Sequence, residues 1–430
     1  MKTGHRLSEN IAALSILQLS NYIVPLMTVP YLVRVLQPEA YGRLAFAQAL
    51  IVCLDLIADY GFNLSATRSV ARCRNVPEEL GARFWLTMAA KLVLTAACAA
   101  TLAILVLCVP RLRATPELYA AAFLTVLGTT VFPVWFFQGI EEMRYITLAH
   151  STSRLLTIPA LLLWVRSSND LVIAAAIQGG VSLAAGLLVV PVLLKRLPPR
   201  FVCPSLTQAL GVLKQGWHTF VSSAASGLNA AATVLVLGLV AGNAEVGYYS
   251  AADKVIRAVS AMFNPASQAI YPHLSAMKAS SQASALVLIR KGLYWMTAVS
   301  SAVSLAVLLL APVAGRMIWG SGFAASVGVL RCLAPLPVLL TLINGVGIPA
   351  LLVFGVDSLV SRIALISISM NAVLTAALGG WFGALGAALA AVAAAGVTVF
   401  LLAMRLRRER LAVWRHESAA VAAADASCPQ

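Results

Sequence analysis

Phe84 to Val109 reads FWLTMAAKLVLTAACAATLAILVLCV, a long apolar run that carries a single charge, Lys91. A helix needs roughly 20 mostly apolar residues to cross a bilayer, so this run is long enough. Stretches of the same character recur from Ile11 almost to Met404, separated by short polar links. Of the 430 residues, 60% are hydrophobic and 11% charged. Soluble domains carry about 25% charged residues, and no stretch here is left for one of ordinary size. The expected fold is all-α: a polytopic membrane protein of about twelve transmembrane helices.

Working outward from that run, spans are expected near 11–33, 41–63, 84–109, 117–138, 146–165 and 171–194. A second set follows near 214–240, 247–272, 290–314, 325–353, 358–379 and 383–404. The short basic start (Lys2, Arg6) resembles a signal peptide, but the apolar run behind it continues past Val29 with no cleavage pattern, so it reads as a permanent first helix. The seven cysteines show no paired spacing. Cys53, Cys98, Cys108 and Cys332 read as small buried hydrophobes and Cys73 as a loop residue; no metal centre or disulfide framework is implied.

The net charge of +15 is sorted by position. With the N-terminus inside, twenty of the 31 basic residues fall in inner segments and six in outer ones. Arg68, Arg72, Arg74 and Arg83 form one inner group, and Lys195, Arg196, Arg200 and Lys214 another. Arg34, Arg43, Arg111, Arg113, Arg166 and Arg316 are outer. This bias predicts both termini in the cytoplasm and makes nucleic acid an unneeded partner.

The chain also divides near its midpoint. A first six-helix lobe is expected over 1–194, a cytoplasmic link over 195–213, a second lobe over 214–404 and a cytoplasmic tail over 405–430. Glu39-Ala40-Tyr41-Gly42 near the start of one half is echoed by Ala244-Glu245-Val246-Gly247 in the other. Two halves with six helices each give a parallel repeat, a frequent transporter plan.

Charges at membrane depth are the candidate functional residues, because each costs roughly 2.5–3.5 kcal/mol unless it faces protein or water. Lys91 and Arg154 lie about two turns into their spans, Arg331 is similarly placed in the tenth, and Arg34 ends the first. Asp253 and Arg257 share one face of the eighth helix, with Lys254 beside them. Asp55 and Asp59 share a face of the second by the same i, i+4 spacing. Simple snorkelling of the long cations, and a structural Asp253–Arg257 ion pair, are the competing readings. An interior with excess positive charge suits an anion, and arginine's planar fork suits phosphate. Prolines interrupt apolar runs at Pro25, Pro30, Pro133, Pro159, Pro265, Pro272, Pro335 and Pro337 and invite kinks. No phosphate loop, H-E-x-x-H or nucleophile elbow is present, so neither an enzyme nor a cofactor is expected, and uphill transport would draw on an ion gradient.

Several stretches resemble one family. They are Gln18…Asn21-Tyr22-Ile23…Pro25-Leu26…Pro30-Tyr31-Leu32…Arg34-Val35-Leu36…Pro38-Glu39…Tyr41-Gly42; Asp59-Tyr60-Gly61-Phe62-Asn63-Leu64-Ser65-Ala66-Thr67-Arg68; Trp135-Phe136-Phe137-Gln138-Gly139-Ile140-Glu141…Met143-Arg144-Tyr145; and Gly247-Tyr248-Tyr249-Ser250-Ala251-Ala252-Asp253-Lys254, with Pro265…Gln268…Tyr271-Pro272. Together they resemble the Wzx-type O-antigen and exopolysaccharide repeat-unit flippases of the multidrug/oligosaccharidyl-lipid/polysaccharide exporter group. Leu36-Gln37-Pro38 departs from the family's more frequent glycine after leucine, and Asp253 from its frequent glutamate.

The resemblance implies two six-helix lobes and a bacterial inner-membrane location. It implies an undecaprenyl-diphosphate-linked oligosaccharide carried from the cytoplasmic to the periplasmic leaflet by alternating access. A coupling proton or sodium ion follows from it, with a polysaccharide polymerase and chain-length proteins as potential partners. Arg34, Lys91, Arg154, Lys254, Arg257 and Arg331 are then the substrate-binding candidates, and Asp253 and Asp59 the ion-coupling ones. A drug/ion antiporter of the same fold group is the alternative, disfavoured by the basic interior. A membrane polysaccharide polymerase is a further one, disfavoured by the short outer links.

Overall fold

The computed structural model describes residues 2–197, 204–263, 282–347 and 357–408. The middle of the expected link, the Pro265…Pro272 segment and the tail from residue 409 lie outside the described residues. All regular elements among the described residues are helices. Eight helical runs among them are long and apolar enough to cross a membrane. Two helices, Lys2–Asp59 and Asp357–Arg408, each hold a non-helical residue, Gln37 or Gly383, where two expected spans meet without a loop. The chain groups into two compact units, Met1–Ser250 and Ala251–Gln430.

In the first unit, α1 (Lys2–Asp59) contains the first two expected spans. It breaks at Gln37, whose φ of 63° and ψ of 168° are far from helical. Pro38 follows, so the Arg34 carbonyl has no amide four residues on to receive; the Gln37 side chain donates to it instead at 2.7 Å. Tyr31 anchors the first arm by donating to the Val165 carbonyl at 2.6 Å.

After Tyr60 and Gly61, both at positive φ, comes α2 (Phe62–Cys73). It occupies a stretch expected to be mostly link. Phe62, Ala66, Val70 and Cys73 recur every three or four residues and are all buried, so a short amphipathic helix forms where no membrane span could. Cys73 is therefore a core residue, whereas Cys108, expected to be buried, is exposed at the end of its helix.

Helix α3 (Pro77–Cys108) starts seven residues before the expected span, with proline in its first turn and Glu78 and Glu79 at its electropositive end. A short turn, α4 (Pro110–Arg113), leads into α5 (Pro116–Val131). Pro133 ends α5, and α6 (Val134–Gly139) inserts Trp135, Phe136 and Phe137 into the core. Phe84 of α3 stacks on Trp135 with ring centroids 5.5 Å apart. Then follow α7 (Met143–Trp164), α8 (Leu171–Arg196), α9 (Leu206–Ala241) and α10 (Asn243–Ala261), which from Ala251 on belongs to the second unit. α5 and α8 pack so closely that a Cβ on Gly128 would overlap the backbone of Ser182 and Leu183. Ser205 caps α9 in a reciprocal box with Gln208.

The second unit contains α11 (Gln282–Trp319), α12 (Ala324–Leu333), α13 (Leu336–Thr341) and α14 (Asp357–Arg408). Its described core combines Trp319, Phe323 and Leu333 with buried Ser367, Asn371, Thr375 and Thr398. Thr398 donates to Ser367 at 2.8 Å, a hydroxyl pair that ties the two arms of α14 together across the Gly383 break.

Candidate functional site

Among the described residues of the first unit, the most deeply buried charge is Lys91. Two turns of polar sequence precede the apolar part of α3, so the helix carries this lysine well inside the bundle, where it is 2% exposed. Its ammonium donates to the Thr129 carbonyl at 2.8 Å and lies 3.3 Å from Asp59 Oδ1. The carbonyl is available because of chain chemistry: in a continuing helix it would receive the amide of residue 133, and residue 133 is proline. Pro133, read from sequence as a kink, thus creates an acceptor for a buried cation.

Around this pair the polar groups continue. Asn63 donates to Asp59 Oδ2 at 2.9 Å. The Thr129 hydroxyl reaches Asp55 Oδ1, and the same oxygen lies 3.0 Å from the Val126 carbonyl. Thr95 and Thr130 share a hydrogen bond of 2.7 Å, and Thr95 donates to the Lys91 carbonyl. The cluster therefore contains two carboxylates, one ammonium and three hydroxyls drawn from α1, α3 and α5. Among the described residues no group of three His, Cys, Asp or Glu comes together as a metal site.

The other expected residues are placed as follows. Arg154 is half-buried on α7, one turn beyond His150, whose ring meets Phe132 edge-on at 5.0 Å. Arg34 is exposed where the first arm of α1 ends. On α10, Arg257 Nε donates to Asp253 Oδ2 at 2.6 Å. The Asp253 side chain is 9% exposed, and its Oδ1 is buried without a hydrogen-bond partner. Lys254 beside it is half-buried, and Arg331 in α12 is exposed. The structure thus brings together Lys91 with Asp59, and Arg257 with Asp253.

Sequence reading gave Asp55 a shared helix face but no role, and it passed over Thr129 and His150. The spacing of Thr129 and Pro133, four residues apart, was the available signal for the liberated carbonyl. It also read Arg111 as one more outer charge. In the structure Arg111 reaches the Gly238 carbonyl and the Asn243 side chain, with its guanidinium 4.6 Å from the centre of the Phe46 ring. Asn243 in turn donates to Glu39 at 2.9 Å. Here the two glycine-led segments that echo each other in sequence pack together. Gly42 lies against the Asn243 backbone and Gly247 against that of Pro38, so closely that neither leaves room for a Cβ.

Comparison with known proteins adds the family context. Residues 7–278 match the family described as polysaccharide biosynthesis protein. The chain is 32% identical over 407 residues to a protein of Escherichia coli (strain K12) named "Putative O-antigen transporter", covering 95% of this chain and 98% of that one. It is 26% identical over 383 residues to a Shigella dysenteriae protein of the same name, covering 88% and 95%. Among solved structures, its fold is similar to an inward-facing multidrug resistance MATE family transporter of the MOP superfamily (TM-score 0.71, 15% identity, 95% and 100% covered). It is also similar to the lipid II flippase MurJ in an inward closed conformation (TM-score 0.64, 14% identity, 91% and 87% covered). With more than half of its length matched by the family pattern and a relative of that identity along nearly all of it, this multi-pass membrane chain belongs to the polysaccharide biosynthesis protein family.

Proposed function

We propose that the chain is a flippase that moves undecaprenyl-diphosphate-linked oligosaccharide units from the cytoplasmic to the periplasmic leaflet of a bacterial inner membrane. The observation that carries this reading is the relationship to a protein named as an O-antigen transporter along 95% of the chain. The chemistry of the site supports it. A diphosphate is a compact dianionic headgroup, and cations held at membrane depth lower the cost of bringing it out of water. Arg154 is the foremost candidate, being half-buried where the other candidate arginines, Arg34, Arg257 and Arg331, are exposed. Arg34, Lys254, Arg257 and Arg331 are further candidates along the path. Lys91 already bonds Asp59, so it reaches a phosphate only by exchanging that partner. In this proposal transport is coupled to an ion gradient through a carboxylate at membrane depth, for which Asp253 and Asp59 are the residues singled out by sequence.

The test is transport by purified protein in proteoliposomes that contain a lipid-linked oligosaccharide in one leaflet. Appearance of the glycan on the opposite face, read with an impermeant glycosidase, is expected only in vesicles that contain the protein. Vesicles that instead expel cationic drugs and leave the glycan lipid where it was would establish the antiporter reading.

A further inference from the structure

The first unit gathers ionisable groups whose charges do not cancel: Lys91 is buried, and Asp55 and Asp59 are half-buried. Asp55 and Asp59, one turn apart on α1, face the single ammonium of Lys91. With all three ionised the cluster carries one excess negative charge inside a membrane bundle, where an unbalanced charge is costly. We propose that Asp55, together with Asp59, Lys91 and the Thr129 hydroxyl, is a proton-exchange site, and that it couples transport to a proton gradient. The second half of that statement rests on the transport reading above; the first half does not.

Geometry provides two states. Asp59 is engaged on both oxygens, by Lys91 on one and Asn63 on the other. Asp55 meets a hydroxyl instead of a fixed cation, and that hydroxyl stands between two acceptors, Asp55 Oδ1 and the Val126 carbonyl. With Asp55 ionised, Thr129 donates to the carboxylate. When a proton binds Asp55, the new carboxylic acid donates to Thr129 Oγ1, and the Thr129 hydrogen rotates to the Val126 carbonyl. One proton enters, no other bond changes partners, and the cluster becomes neutral.

The occupant follows from the same inventory. A sodium ion needs several oxygen ligands and would have to sit beside an ammonium that already occupies the carbonyl and the Asp59 carboxylate. A proton needs only one carboxylate oxygen. Ionisable neighbours of Asp55 are Asp59 on its own helix and Lys91 and Cys98 on α3. α5 brings the Thr129 and Thr130 hydroxyls, and α9 brings Gly227 against the neighbouring Leu56. The Asp59 side chain is 24% exposed, which gives protons a way in from the edge of the cluster.

The first readout is independent of transport: the carbonyl-stretch infrared band of a protonated carboxylic acid, followed while the purified protein is titrated. A pH-dependent band is expected in the parent and in Glu117→Gln, an exposed control, and it is expected to be lost in Asp55→Asn. Thr129→Val keeps the carboxylate but removes the rotating hydroxyl, so it is expected to shift the midpoint of the band. A band unchanged in Asp55→Asn overturns the proton site. The second readout is the ratio of flipping rates with and without an imposed pH gradient, which is expected to exceed unity for the parent and to lose its gradient dependence in Asp55→Asn. An undiminished ratio in that variant, or a parent that answers a sodium gradient alone, overturns the coupling role. A parent that moves no glycan lipid while its Asp55 band titrates overturns the transport reading instead.

Discussion

Lys91 illustrates how much one residue's neighbours alter its reading. In sequence it is a lone charge in an apolar run, open to snorkelling or to substrate binding. In the structure it is held by a carbonyl that Pro133 leaves free and by a carboxylate from another helix. The lysine's depth was legible from the run itself. Its partners were not, because Asp59 is 32 residues away and Thr129 is 38, and no local period links them. Removing the cation leaves Asp59 beside Asp55 without its counter-charge, a loss of the kind that costs about 3–5 kcal/mol in buried pairs. Lys91→Ala is therefore expected to lower the thermal midpoint of the purified protein, and adding Asp59→Asn is expected to restore part of it. A double-mutant cycle should give a coupling of about 0.5–3 kcal/mol; purely additive losses would mean the two side chains do not support each other. Arg154 belongs to a different test. Arg154→Ala is expected to abolish surface polysaccharide with the protein still in the membrane, and Arg154→Lys to retain only part, since an ammonium cannot bind two phosphate oxygens in a plane. Full polysaccharide in both variants would remove Arg154 from the binding path.

At the scale of elements, helix cores were legible and helix ends were not. Hydropathy located the spans that the eight long apolar runs contain, since each needs such a run. It could not locate the polar turns that extend them, such as Pro77–Arg83 at the start of α3. Nor could it separate a link from α2, whose buried stripe is only four residues. Proline acts repeatedly as a donor of free carbonyls: Pro38 leaves that of Arg34 to Gln37, and Pro133 leaves that of Thr129 to Lys91. Small residues set how near the helices come, because between membrane helices close packing replaces the hydrophobic drive. Gly128 and Gly180 make a controlled comparison. A side chain on Gly128 meets backbone of α8, whereas a Cβ on Gly180 meets nothing within 4 Å. Gly128→Leu is expected to cost about 1–3 kcal/mol or more through overpacking, and Gly180→Ala to be neutral or to stabilise by up to about 1 kcal/mol through helix propensity. Thermal melts of the two purified variants check this; equal melting points would show that the α5–α8 approach does not depend on the glycine.

At the scale of the whole molecule, the basic residues make a prediction about sidedness that packing within the first unit can check for consistency. Residues assigned to inner segments meet one another: Arg74 pairs with Glu141 at 2.5 Å and Arg196 with Glu142 at 2.7 Å. Residues assigned to outer segments also meet one another, Arg111 with Asn243 and Asn243 with Glu39, and Tyr31 meets the Val165 carbonyl where the outer ends of their two expected spans lie together. The alternation of span directions inferred from sequence is thus reproduced by contacts between distant parts of the chain. Exposed pairs of this kind contribute about 0–1 kcal/mol each, so their value lies in sorting the ends rather than in stability. Which end faces the cytoplasm is a separate matter, and there the expectation rests on the excess of Lys and Arg. We therefore expect reporter fusions after Arg408 and near Pro199 to be active only as cytoplasmic fusions. In a cysteine-free background, Arg113→Cys should react with an impermeant maleimide added from outside, and a cysteine placed at Arg74 should react only after the membrane is opened. Labelling of the Arg74 position from outside, or a periplasmic signal from either fusion, would invert the topology and with it the direction proposed for the glycan.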